Sequence, residues 1–227
     1  MKNCNDRGRL IIVGTGIRSI AQLTLETVAW IKAADLVCYV LADPITERWI
    51  VDNAAATEDL SVLYSEATSR LSTYANMAER LVNHARMGRT VVGAFYGHPG
   101  VFTSPSHWAI AAARTEGISA RMLPGISAED CLFADLGVDP STASCQTFEA
   151  TEMMIRGRIP NPDAHVIIWQ IGVLAQPGYD RRHSRSDLGP FVEYLCRIYP
   201  DDHRVTHYQA AQTVICDPVI EQVPLSD

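Results

Sequence analysis

The chain has 227 residues, 47% of them hydrophobic and 20% charged, with a formal net charge of −7. That balance belongs to a globular protein with ample chain to bury a core. The acidic total argues against a general nucleic-acid binder, which needs surplus Lys and Arg to neutralise phosphates.

Arg9 to Thr15 (RLIIVGT) reads as a buried strand entering a Gly14-Thr15-Gly16 turn. The segment from Ser19 to Asp35 follows, with Ile20, Leu23, Val28 and Ile31 at helical spacing. Leu36 to Leu41 is a second strand, so the pattern predicts a parallel βαβ unit. The lone G-x-G lacks the third glycine of a dinucleotide fingerprint, because Ser19 stands in its place. Thr46 to Ala55 reads as a helix. Asp59 to Tyr74 (DLSVLYSEATSRLSTY) reads as a short strand and a polar connection. Ser72 or Thr73 is then positioned to cap a helix from Tyr74 to Met87, ended by Gly88.

The rest of the chain is organised around Val91 to Pro140. A strand from Thr90 to Tyr96 breaks into Gly97-His98-Pro99-Gly100, and a helix runs from Ser106 to Glu116. A short strand at Ser119–Leu123 leads to a second turn, Leu123 to Ala128, which opens another helix. Two strand-to-helix turns, each setting bare backbone beside a helix N-terminus, suit a small cofactor. Alternating β and α predicts a doubly wound α/β sheet. After Pro140 the expected strands are Gln146–Thr151, Ala164–Val173, Val205–Gln209 and Thr213–Gln222. Helices are expected at Glu152–Arg158 and Pro190–Tyr199, with a mobile loop at Gln176–Pro190. The expected domains are residues 1–122 and a smaller α/β domain, 123–227.

Cys4, Cys38, Cys131, Cys145, Cys196 and Cys216 form no C-x-x-C pair or metal spacing, so reduced thiols and no metal site are expected. The N-terminus MKNCNDRGRL is too polar and short for targeting, and the apolar runs are strand-length. A soluble, cytoplasmic protein is the resulting expectation. His98 and His107, beside the glycine turn, read as hydrogen-bonding structural residues.

The strings FYGHPGVF, SPSH, LPGISAEDCLFADLG, CQTFEATE and IIWQIGV resemble the tetrapyrrole-methylase superfamily, and within it the borosin peptide backbone α-N-methyltransferases. The likeness spans essentially the whole chain. It implies two α/β/α domains with S-adenosylmethionine folded into a cleft between them, and no metal. It implies a cofactor pocket of Tyr96, Gly97, Pro99, Gly100, Val101 and Phe102, with Ser127 and Ala128 from the second turn and Gln170 from the VIIWQIGV strand. Ser127 also reads as a helix N-cap, and the two roles are compatible.

The resemblance further implies catalysis by Tyr64, Arg70 and Tyr74. An amide nitrogen is a poor nucleophile because its lone pair is delocalised. It must lose its proton or have its carbonyl drawn towards an imidate. Tyr64 is expected as base or proton relay, its phenol lowered by the Arg70 guanidinium, and Tyr74 as a donor to the carbonyl oxygen. Which tyrosine is the base stays open. The chain ends at Asp227 without the substrate extension of fungal members, so it resembles either the split type, acting on a separate precursor peptide, or a shortened form of a longer chain; the resemblance further implies a homodimer. The alternatives are a same-fold methyltransferase for a tetrapyrrole or other small molecule, and a silent cofactor- or peptide-binding partner.

Overall fold

The structure, a computed structural model, describes residues 8–65, 67–174 and 188–226. The chain divides into two compact units, Met1–Cys131 with Ala210–Asp217, and Leu132–Gln209 with Pro218–Asp227. The expected boundary at 122/123 lies ahead of this division, which falls inside a helix. Cys4 and most of the loop expected at Gln176–Pro190 lie outside the described residues.

The first unit holds a five-stranded parallel sheet of β1 (Arg9–Gly14), β2 (Leu36–Val40), β3 (Thr57–Asp59), β4 (Thr90–Phe95) and β5 (Ser119–Met122). Its order is β3-β2-β4-β1-β5. The central strands are apolar throughout because helices cover both faces. Leu10, Ile12, Cys38 and Phe95 point to a core shared with α3 (Arg70–Arg86) and α4 (Ser104–Thr115). Ile11, Val13, Val37 and Val92 point to the opposite core, with α1 (Leu25–Ala33) and α2 (Pro44–Asn53). Alternation along each strand thus assigns its residues to two layers.

Several boundaries depart from the expected ones, for reasons of capping. The first helix begins at Leu25, not near Ser19, because Thr24 accepts the Thr27 N–H at 3.0 Å. Ile20 and Leu23 belong to the loop before it, despite their helical spacing. The helix expected from Tyr74 begins at Arg70, capped by Ser69, whose Oγ accepts from the Ser72 N–H at 3.2 Å. The short strand ends at Asp59 rather than starting there, and Leu60–Leu63 forms a 3-10 turn. Asp43 caps α2 at 2.8 Å from the Thr46 N–H, with Pro44 in the first turn, where its missing N–H costs nothing.

α5 (Ala128–Leu136) follows the second turn. In the second unit β6 (Cys145–Glu149) pairs in parallel with β7 (His165–Trp169), with α6 (Ala150–Arg156) between them. α7 (Gly189–Cys196) adds Phe191 and Leu195 to a core with Ala150, Met153, Leu174 and Leu225. β8 (Arg204–Gln209) and β9 (Val219–Pro224) form an antiparallel pair. The last strand therefore starts at Val219, and Thr213–Cys216, expected within it, makes turns instead. No described helix is long and apolar enough to cross a membrane.

Candidate active site

The turns after β1, β4 and β5 converge, because those strands are neighbours and all run in one direction. The β1 connection passes over β4 to reach β2, and the β4 connection passes over β1 to reach β5. α1 and α4 therefore lie on opposite faces, and the two turns diverge at a topological switch point, where open α/β sheets bind ligands. The Gly97 N–H donates to Gly16 O at 2.8 Å, and the Gly16 N–H returns to Gly97 O at 3.3 Å. A Cβ on Gly14 would sit 2.3 Å from Gly97 O and 2.8 Å from Pro99 Cδ, so only bare backbone fits. Gly97 itself has φ +70°, the left-handed region a side chain resists.

Two histidines brace the Gly97–Gly100 turn, as the sequence suggested. His98 Nδ1 accepts from the Gly100 N–H at 2.9 Å, and His107 Nε2–H donates to Gly100 O at 2.9 Å. The bracing leaves apolar groups in solvent, with Tyr96 53%, Val101 40% and Phe102 43% exposed. Phe102 has φ +52°, which costs about 1–3 kcal/mol for a non-glycine residue and persists only where the surroundings impose it. Large apolar side chains are thus presented on a strained, braced turn. Ser127 is buried and caps α5 through a reciprocal box. Its hydroxyl donates to Asp130 Oδ2 at 2.7 Å and accepts from the Asp130 N–H at 3.2 Å. Ala128 is the first residue of that helix. Gln170 lies in the second unit, exposed, just past the end of β7 rather than within it, with φ +62°.

Tyr64, Arg70, Tyr74 and Tyr96 form one electrostatic cluster. The Tyr64 and Tyr74 rings meet edge to face, with centroids 6.4 Å apart and planes at 86°. Burial pushes the Tyr64 phenol well above its ordinary range, and Tyr74, Tyr96 and a hydrogen bond with the Tyr74 phenol push the same way. Arg70 opposes them and loses. The expected lowering by the guanidinium is thus corrected, because desolvating a phenolate costs more than Arg70 returns. Tyr64 keeps its proton near neutral pH, which suits a hydrogen-bond donor or relay better than a standing base.

One group of described residues has metal-ligand character: Cys38, Glu58 and His84, with ligand atoms within 4.8 Å of one another. Its hydrogen bonds are those of an ion-pair network. His84 Nε2 lies 2.7 Å from Glu58 Oε2, and Arg80 lies 3.2 Å from Glu58 Oε1. Arg89 lies 3.4 Å from His84 Nδ1. Since Arg only donates, Nδ1 is the acceptor and Nε2 carries the proton given to Glu58. Burial, then Glu58, raises the Cys38 thiol to about 12, so it stays protonated. Sequence reading missed this network, because its members come from β2, β3, α3 and the turn before β4 and share no spacing.

Turns of bare backbone at the carboxyl ends of a parallel sheet, beside clustered phenols, define the candidate site of an α/β protein. Residues 9–211 match the tetrapyrrole (corrin/porphyrin) methylases, and the chain belongs to that family. It is 48% identical over 219 residues to the methyltransferase/ribosomally synthesized type I borosin cyclic peptide precursor of Coprinopsis marcescibilis, covering 95% of this chain and 56% of that one. It is 45% identical over 216 residues to the methyltransferase/ribosomally synthesized cyclic peptide omphalotin A precursor of Omphalotus olearius, covering 95% and 52%. The chain therefore spans about half the length of these curated relatives. Among solved structures it resembles the uroporphyrin-III-C-methyltransferase of Thermus thermophilus, with TM-score 0.67, 19% identity, and 97% of this chain and 85% of that one covered. The methyltransferase CobJ matches with TM-score 0.62 and 18% identity, covering 97% and 87%. These two likenesses establish the fold, the α/β architecture of the tetrapyrrole methylases.

Proposed function

We propose that the chain is an S-adenosylmethionine-dependent methyltransferase that methylates backbone amide nitrogens of a ribosomally made peptide. The observation that carries this reading is the clustering of Tyr64, Arg70 and Tyr74 with Tyr96 of the glycine turn. Methylation at a ring carbon needs no such phenol–guanidinium set, whereas an amide does. Relatives at 45–48% identity whose names join a methyltransferase to a peptide precursor support the same substrate class.

The turn residues suit the donor. The missing side chains of Gly97 and Gly100 would let the donor approach the backbone closely, and Phe102 and Val101 would cover its adenine. Ser127 and Ala128 add the second turn to the proposed pocket. S-adenosylmethionine supplies an electrophilic methyl on a sulfonium and leaves as S-adenosylhomocysteine. Within this chain, Tyr64 and Tyr74 would donate to the peptide carbonyl oxygen, drawing the amide towards the imidate. The fixed positive charge of Arg70 would stabilise the oxyanion that develops. The amide proton displaced by the methyl group would pass to solvent water, a phenol releasing its own proton as it accepts this one. Action in trans on a separate precursor, by a homodimer, completes the proposal and rests on the resemblance.

The test is intact mass of a separately produced precursor peptide after incubation with protein and S-adenosylmethionine. Increments of about 14 Da (one methyl replacing one hydrogen on nitrogen), mapped by fragmentation to backbone nitrogens, are expected. No increment on any precursor, with cofactor binding intact in a thermal shift, overturns the peptide reading in favour of a small-molecule substrate.

A further inference from the structure

Gln22 lies in the loop between β1 and α1, half-buried and outside any helix or strand. Its carboxamide is engaged at both ends. Oε1 accepts from the N–H groups of Ile17 at 2.7 Å and Arg18 at 2.9 Å, and Nε2 donates to Cys131 Sγ at 3.4 Å. Cys131 is buried in α5, four residues after Ser127. The Gln22 stem also lies against Gly16, where an added Cβ would stand 2.3 Å from Gln22 Cβ. Gly16 in turn exchanges both of its backbone hydrogen bonds with Gly97.

One side chain therefore joins the first turn of α5 to the loop that supports Gly97. The loop does not take its shape unaided. The N–H and hydroxyl of Ser19 both donate to Gln212 O, at 2.8 and 2.9 Å, and the Ile20 N–H donates to Thr46 Oγ1 at 3.1 Å. Ile20 has φ +45°, a conformation that β-branched residues rarely adopt, so the loop is held against its own preference. Among these pins Gln22 is the one that also reaches α5.

We infer that Gln22 is a positioning residue for the cofactor site, fixing the separation between the Gly97 turn and the Ser127–Ala128 turn. It touches neither the cofactor nor the peptide in this scheme. The inference rests on the cofactor reading proposed above, and the experiment separates the two. In the full chain, Gln22→Ala is expected to weaken S-adenosylhomocysteine binding about tenfold by calorimetry, as loss of two to three hydrogen bonds implies. At saturating cofactor, kcat and the KM for the precursor stay near wild type. In the ligand-free protein, amide exchange at Ile17 and Arg18 accelerates. Gln22→Glu keeps an acceptor for both N–H groups, so it retains binding within about threefold. Wild-type affinity in Gln22→Ala overturns the inference. So does a parallel fall of cofactor affinity, precursor kinetics and thermal stability, which a merely structural residue would give. If the wild-type protein binds no S-adenosylhomocysteine, the cofactor reading fails. Unchanged exchange at Ile17 and Arg18 in Gln22→Ala then overturns the clamp separately.

Discussion

The glycine turns and the tyrosine connection, both in the first unit, are built in opposite ways. Around Gly14, Gly16 and Gly97 the backbone is bonded across turns that lie about eighty residues apart in sequence, and side chains are excluded by the closeness of the packing. The connection after β3 is held locally instead. Asp59 bonds Ser61 through both carboxylate oxygens, Ser65 bonds the Ala67 N–H, and Ser69 caps α3. The turns leave little room for sequence change, whereas the connection positions its phenols through a helix cap and the half-buried contact between Tyr64 and Tyr74. On the proposed reading, rigid backbone suits binding, and a separately anchored segment lets the phenols vary without disturbing the turns.

That contrast can be broken most sharply at Tyr64. Tyr64→Phe keeps the ring and its edge contact with Tyr74 but removes the donor. Peptide methylation is expected to fall about 100- to 1000-fold, the scale of losing one aligned oxyanion donor. Cofactor affinity and melting temperature should stay put, as single-turnover kinetics and calorimetry would show. A Tyr64→Phe enzyme with normal turnover would remove the phenol from the mechanism.

In the turns the opposite profile is expected. Gly14→Ala forces a Cβ towards Gly97 O and the Pro99 ring, neither of which can swing aside. A destabilisation of about 3 kcal/mol or more in urea unfolding is expected, with cofactor binding lost alongside it. A milder loss would mean that the turns yield more than their packing suggests.

Ser69→Ala tests the local anchor and should cost about 1 kcal/mol, the usual worth of an N-cap. Because Arg70 and Tyr74 sit in the first two turns of α3, activity should drop while cofactor affinity holds. Equal losses in both would erase the distinction between the regions.

The smallest expected effect is in alkaline stability. The folded protein holds the Tyr64 phenol protonated, whereas in the unfolded chain it titrates near pH 10. The native state then binds a proton that the unfolded state has lost. Its contribution is complete below about pH 10 and declines as pH rises further. Tyr39 and Cys38, each raised to about 12 chiefly by burial, add to the same slope. Urea midpoints from pH 8 to 11 should therefore fall, and fall less steeply in Tyr64→Phe.

Much of this architecture is legible in the chain itself. Apolar runs such as Leu10–Val13 and Val91–Phe95 can only be strands covered on both faces, and the glycines between strand and helix specify where the chain must turn bare. The catalytic candidates were legible through long resemblance rather than through spacing, since Tyr64 and Tyr74 straddle a helix start that periodicity put at the wrong residue. Ile20 and Leu23 show why: their helical spacing lost to the hydrogen bond that Thr24 makes with the Thr27 N–H. Tertiary structure alone decided that Gly16 would bridge Gly97, that Gln22 would join Ile17, Arg18 and Cys131, and that burial would outweigh Arg70 at Tyr64. Sequence carries local preference and the pattern of burial. Hydrogen bonds between distant turns, and the desolvation of a phenol, depend on which segments the sheet order brings together.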